Sequence, residues 1–149
     1  APAGYDDRQP LLQPPSMPER PPSTRSPLPQ QTSGLHLIGD LHGCQGGGAC
    51  MQDAPALEAL CRAEVAAAGL TPVGSLFHAF AQGGGVTGVV VLAESHLCVH
   101  TWPEAAYVTL DVYVCNYSAD NRAKAQALFA ALVAAFAPQQ PQVHSVERG

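Results

Sequence analysis

Leu97-Cys98-Val99-His100-Thr101-Trp102, then Pro103-Glu104-Ala105-Ala106, then Tyr107-Val108-Thr109-Leu110-Asp111-Val112-Tyr113-Val114-Cys115 is the stretch on which the fold turns. Successive side chains of a strand point to opposite faces, and both arms alternate in that way. With Pro103 to Ala106 as the turn, Trp102 faces Tyr107 and the numbers of paired residues sum to 209. His100 then faces Thr109, and Cys115 lies opposite Glu94, beside Ser95. One face collects Leu97, Val99, Val108, Leu110, Val112 and Val114, an apolar set suited to packing under helices. The other receives His96, Cys98, His100, Trp102, Tyr107, Asp111, Tyr113 and Cys115, which is too polar and titratable for a core and reads as a site or an interface.

Upstream of the hairpin, Leu35 to Leu41 reads as a first strand that stops at a glycine-rich loop, Gly43 to Gly48. Leu57, Leu60, Cys61, Val65 and Ala68 recur at helical spacing between Ala54 and Ala68, with Asp53 as N-cap and Gly69 as the stop. Pro72 to Ala81 and Val86 to Ala93 are apolar, β-branched stretches that precede the hairpin. Ala119 to Ala137 predicts a second helix, buried along Leu128, Leu132, Val133 and Phe136 and ended by Pro138 to Pro141, with Val143 to Val146 as a short last strand. The order favours an α+β two-layer sandwich, an antiparallel sheet with two helices on one face.

Nine of the 14 prolines lie in the first 33 of the 149 residues, a Pro-, Ser- and Gln-rich segment too poor in apolar area to offset the entropy of ordering. Residues 1–33 are thus expected to be a disordered tail, and 34–149 one domain small enough for oligomerisation to help it bury surface. The tail's Asp6, Asp7 and Glu19 balance Arg8, Arg20 and Arg25, so the net charge of −5 rests on the domain. So few Lys and Arg give no cationic stripe for phosphates, which argues against nucleic acid and suits a cationic small substrate. No run approaches a membrane span and the start shows no secretory signal, so a soluble, cytoplasmic protein is expected. Five irregularly spaced cysteines suit reduced thiols better than a disulfide framework.

Three readings compete for the polar face. His96-x-Cys98-x-His100, with Cys115 or Asp111, has zinc-ligand chemistry, but alternate residues of one strand do not converge and no second ligand pair supports them, so no metal is expected. Lone His and Cys residues are more often packing than chemistry, so packing against a partner subunit is the leading reading of the residues alone. They could also be covalent chemistry, with Ser95 as hydroxyl nucleophile, His100 as imidazole base and Cys115 as thiol acid. Spacing alone does not lift this last reading above packing.

Ala93-Glu94-Ser95-His96-Leu97-Cys98-Val99-His100-Thr101-Trp102-Pro103-Glu104, followed by Leu110-Asp111-Val112-Tyr113-Val114-Cys115, closely resembles the core of the prokaryotic S-adenosylmethionine decarboxylases. The likeness extends through His36-Leu37, Gly43-Cys44, Phe77-His78-x-Phe80 and Gly85-Val86-Thr87-Gly88-Val89-Val90-Val91, and spans almost the whole domain but not the tail. It implies a proenzyme that cuts itself between Glu94 and Ser95 into a β chain, 1–94, and an α chain, 95–149. In such a cut the Ser95 hydroxyl attacks the preceding carbonyl, an N-to-O acyl shift gives an ester, and β-elimination leaves a dehydroalanine that hydrolyses to a pyruvoyl group.

By the same resemblance His100 is the processing base and Thr87 the assisting hydroxyl, where the family usually has serine. The pyruvoyl cofactor made from Ser95 condenses with the substrate amine as a Schiff base and stands in for pyridoxal phosphate. Cys115 returns a proton to the α-carbon. Phe80 and Trp102 flank the adenine and Glu104 accepts the ribose hydroxyls; aromatic faces also suit a sulfonium cation. Two protomers share each site in the family, which implies a homodimer in which Phe80 and Trp102 serve the neighbour's pyruvoyl. The implied function is decarboxylation of S-adenosylmethionine for spermidine biosynthesis. The same chemistry on L-arginine or L-ornithine, or a non-catalytic regulatory homologue, are the alternatives.

Departures fall at Gln45 to Cys50 and at Gln82 to Gly85, glycine-rich loops expected to reshape the pocket, and at Asp40 and His42, where glutamate and tyrosine are common in the family. Cys44, Cys50, Cys61, Cys98, His36, His78 and His144 are expected to be structural or inert.

Overall fold

The computed structural model describes residues 33–149. The expectation of a disordered tail concerns residues that, apart from Ser33, lie outside it. Eight principal elements follow one another: β1 (Gly34–Cys44), α1 (Ala54–Ala67), β2 (Pro72–Ala79), β3 (Val86–Leu92), β4 (Ser95–Trp102), β5 (Tyr107–Cys115), α2 (Arg122–Phe136) and β6 (Pro138–Arg148). The strands form one antiparallel sheet in the order β2-β3-β4-β5-β1-β6. Both helices cover its apolar face, as an α+β two-layer sandwich requires.

The hairpin keeps the expected register, from Trp102 opposite Tyr107 to His96 opposite Tyr113. Its turn is a short 3-10 stretch, Pro103–Ala105, closed by Ala106 in the left-handed region at φ 46°. Leu97, Val99, Val108, Leu110, Val112 and Val114 are fully buried, against Leu57, Cys61 and Val65 of α1 and Leu128, Leu132 and Phe136 of α2. Each such aliphatic side chain contributes about 1.5–3 kcal/mol over leaving it in water, so this layer holds the polar face rigid.

The first helix starts where capping chemistry requires. Asp53 accepts the Ala56 N–H at 2.9 Å, and Gly69 at φ 73° takes the chain out of α1.

Three boundaries differ from expectation by three residues or more, while β2 and β3 end only one or two residues early, at Ala79 and Leu92. The first strand runs on through Gly43 and Cys44, because β5 and β6 flank it on both sides. The second helix begins at Arg122, three residues later than its apolar content suggests, since Asn116 and Asn121 bond each other across the loop before it. It ends not by proline blocking but at Ala137, left-handed at φ 45° with its N–H on the Val133 carbonyl. From there Pro138 opens an 11-residue strand in place of the expected four-residue one. That strand lies at the sheet edge and is exposed almost throughout, so burial imposes no alternation by which a sequence could reveal it, and its prolines are tolerated there.

Candidate active site

The two ends of β4 carry two different groups of side chains. At its start, Ala93 and Glu94 form the tight connection from β3, with Leu92 paired to Ser95. Glu94 is left-handed at φ 67°, which costs a non-glycine residue about 1–3 kcal/mol and persists only where the surroundings hold it. Holding contacts exist: the Ser118 N–H and hydroxyl donate to Glu94 Oε2 at 3.4 and 3.3 Å, and the Ala93 N–H donates to the Thr71 carbonyl at 3.0 Å. The Cys115 N–H donates to Ser95 Oγ at 3.2 Å, and Asn121 Nδ2 donates to the Cys115 carbonyl at 3.0 Å. Ser95 and Cys115 are thus adjacent, as the register demands. Their contact runs through the Cys115 amide, because alternation assigns Ser95 to the row of Leu97 and Val99, and Cys115 to the opposite row of Tyr113.

At the other end, Thr87 is paired with His100 and its hydroxyl is in hydrogen-bond contact with His100 Nδ1. Phe80, Thr87, His100, Trp102 and Glu104, with Gly84 and Gly85, line a cavity of about 370 Å³, a size that suits a small-molecule site. Trp102 lies 6.0 Å from the His100 ring, and Phe80 5.1 Å edge-on from His78. The cavity floor is pinned by Thr101, 4% exposed, whose hydroxyl accepts the Val86 N–H at 2.7 Å and donates to the Met51 carbonyl at 2.8 Å. A Cβ on Gly85 would sit 1.6 Å from the Thr101 carbonyl oxygen, so this glycine is required by close approach.

Five residues of strand separate Ser95 from His100, about 16 Å at ~3.3 Å per residue. Within one chain the structure brings together Ser95, Glu94 and Cys115, and separately Thr87, His100, Phe80, Trp102 and Glu104; it does not join the two groups.

Of the departing loops, Gly84 and Gly85 border the cavity. The other glycine loop does not reshape the pocket. Its Gln45, Gly46 and Gly47 N–H groups cap the last carbonyls of α2, those of Ala137, Phe136 and Ala135, at 2.9–3.1 Å, and a Cβ on Gly46 would meet the Ala135 oxygen at 2.2 Å.

Between the two groups lies a polar band in which His36 Nε2 meets Asp111 Oδ1 at 3.1 Å and Arg148 sits over the Tyr113 ring at 5.2 Å. Desolvation, with His36 nearby, lowers the His96 pKa, while desolvation and Asp111 raise that of the Cys98 thiol. Burial pushes Cys61 up to about 12, which makes it inert. Among the described residues no three His, Cys, Asp or Glu side chains converge as a metal ion needs, and no helix is long and apolar enough to cross a membrane. Sequence reasoning missed Ser118 and Thr101, whose roles rest on contacts 24 and 50 residues away, separations that no local pattern reports.

Residues 35–149 match the family model described as S-adenosylmethionine decarboxylase. An S-adenosylmethionine decarboxylase proenzyme of Methanococcus maripaludis is 34% identical over 116 residues, covering 78% of this chain and 89% of the relative. One of Pyrobaculum aerophilum is 40% identical over 92 residues, covering 60% and 70%. The crystal structure of the adenosylmethionine decarboxylase of Aquifex aeolicus superposes with a TM-score of 0.69 at 32% identity, covering 80% of this chain and 93% of that one. A serine opening a strand after a constrained glutamate, a base-sized aromatic cavity and these matches over nearly all the described residues agree: this chain belongs to the S-adenosylmethionine decarboxylase family.

Proposed function

We propose that the chain is a self-processing, pyruvoyl-dependent decarboxylase of S-adenosylmethionine, feeding aminopropyl transfer to spermidine. The observation that carries the reading is the pairing of a left-handed Glu94 with a Ser95 whose hydroxyl is fixed by the Cys115 amide. The constrained residue is the one whose carbonyl the Ser95 hydroxyl attacks, and a cut after it relieves the constraint. Attack transfers the Glu94 acyl group from nitrogen to the Ser95 oxygen. Loss of the α-proton of residue 95 then expels the Glu94 carboxylate, and hydrolysis of the resulting dehydroalanine releases ammonia. His100, oriented by Thr87, is the base for that proton.

The resulting pyruvoyl group supplies a ketone to hold the substrate amine and an adjoining carbonyl to take up electrons as carbon dioxide leaves. Its site fits: residue 95 heads a strand and, freed from the turn, can swing toward the Cys115 thiol, which returns the proton to the substrate carbon. Phe80 and Trp102 take the adenine, and Glu104 the ribose hydroxyls.

The roughly 16 Å between Ser95 and His100 supports a homodimer in which Thr87, His100, Phe80, Trp102 and Glu104 of one protomer complete the Ser95 and Cys115 of its partner. The polar sheet face also bears the exposed apolar side chains Leu76 and Val91 beside His96 and Cys98. A two-fold pairing would bury these and exchange the two ends of β4 symmetrically. The free thiols suit a reducing cytoplasm, and the acidic domain leaves nucleic acid without a partner surface.

Denaturing mass spectrometry tests the processing step. The expected result is a fragment ending at Glu94 and one that begins with a pyruvoyl group, with Ser95→Ala staying a single, inactive chain. Parallel carbon dioxide release from S-adenosylmethionine, L-arginine and L-ornithine names the substrate. An intact chain with no product from any of the three would instead indicate a regulatory homologue.

A further inference from the structure

The aromatic wall of the cavity continues beyond it. Trp102, Tyr107 and His42 stand side by side on β4, β5 and β1, in cross-strand register. The indole stacks on the Tyr107 ring at 5.1 Å between centroids and 30° between planes, and the Tyr107 ring stacks on His42 at 4.6 Å and 14°. Tyr107 donates its hydroxyl proton to Asp40 Oδ1 at 2.7 Å. That bond, with desolvation, raises the phenol's pKa, so it remains a donor at neutral pH. Trp102 therefore has a fixed ring behind it while remaining 37% exposed and lining the cavity.

We propose that Tyr107, tethered by Asp40 and backed by His42, is a positioning residue that sets the plane of Trp102 for a heteroaromatic base. An unsupported indole must lose side-chain freedom when a base stacks on it, whereas one already stacked does not. Asp40 and His42, two positions at which the chain departs from the family pattern, thereby acquire a joint function: they hold the tyrosine that holds the tryptophan. The proposal rests on the reading that Trp102 contacts the adenine.

The chain contains a single tryptophan, so fluorescence excited at the red edge of the indole band, where tyrosine does not absorb, reports on Trp102 alone. Processed enzyme carrying Tyr107→Leu, Tyr107→Phe or His42→Ala would be compared with the wild type in KM and kcat for S-adenosylmethionine. Quenching of Trp102 by 5′-methylthioadenosine, which has base and ribose but no amine to react, would be measured alongside. Tyr107→Leu should raise KM and weaken the quenching titration by about two- to twelve-fold, the range of one stacked aromatic pair, with kcat within about twofold. Tyr107→Phe, which keeps the stacked ring but loses the bond to Asp40, should recover only part of the loss. His42→Ala should weaken quenching at least twofold, and it carries the test if Tyr107→Leu fails to fold. Strong quenching that is indifferent to residues 107 and 42, or a fall in kcat at unchanged KM, would overturn this inference alone. Absence of quenching in the wild type would overturn the reading of Trp102 and this inference with it.

Discussion

Replacing Thr101 by valine changes almost no volume and removes one hydroxyl, yet it should be among the most costly single substitutions near the cavity. That hydroxyl accepts the Val86 N–H and donates to the Met51 carbonyl, both in a buried setting, and ties the start of β3 and the turn before α1 to β4. Valine leaves both backbone groups unpaired and unreachable by water, at about 1–3 kcal/mol each, offset by roughly 0.8 kcal/mol for the added apolar group. The net loss is about 3 kcal/mol, a fall in melting temperature on the order of 10 °C for a domain of this size. Thr101→Ser, which keeps both bonds and loses a methyl, should cost only about 1 kcal/mol. Both variants belong in a Ser95→Ala background, so that one covalent chain unfolds, and urea and thermal melts would be compared at equal protein concentration. A valine variant within 0.5 kcal/mol of its parent, or a serine variant as unstable as the valine one, would refute the argument that the bonds rather than the methyl hold this corner.

Other outcomes follow from the site. Cys115→Ser should still be cut but turn over slowly or protonate the wrong carbon, seen as product carrying an aldehyde; an undiminished rate of normal product removes Cys115 as the acid. His100→Ala chains, uncut alone, should be cut when refolded together with Ser95→Ala chains, because the partner lends its imidazole; a His100→Ala chain that stays uncut in the mixture would place the base within one chain, and one that is cut alone would remove His100 as the base. Stability should fall as pH drops below about 6.5, the ordinary histidine value. His96 holds its neutral form more firmly when folded, so the unfolded chain takes up the proton first. His96→Gln should flatten that part of the pH–stability curve, and an unchanged slope assigns it to other groups.

The hairpin register and the division of its faces were legible because burial on one side imposes a strict alternation, and a slip of β5 by one residue would have exposed its four buried aliphatic side chains. The edge strand β6 was not legible for the complementary reason: nothing covers it, so Pro138, Pro141 and the glutamines between them carry no periodic signal. At the site, the identities of Ser95, His100 and Cys115 stood out as reactive types. Their distribution between two ends of a strand did not, since membership of one hairpin says nothing of the distance along it. Tyr107 hid in plain view as a turn-flanking aromatic; only its bond to Asp40, 67 positions away in the chain, shows what it supports.

The strand order has a consequence for the proposed self-cleavage. A cut after Glu94 assigns β1, β2 and β3 to one product and β4, β5 and β6 to the other, yet β1 lies between β5 and β6. The products are interleaved, and parting them means tearing three ladders at once. Such a break would leave the particle whole while erasing the route back: what folded as a single chain could afterwards re-form only by two chains finding each other. Maturation of this kind would work as a ratchet, with refolding after the cut turned from a one-chain into a two-chain reaction that slows on dilution.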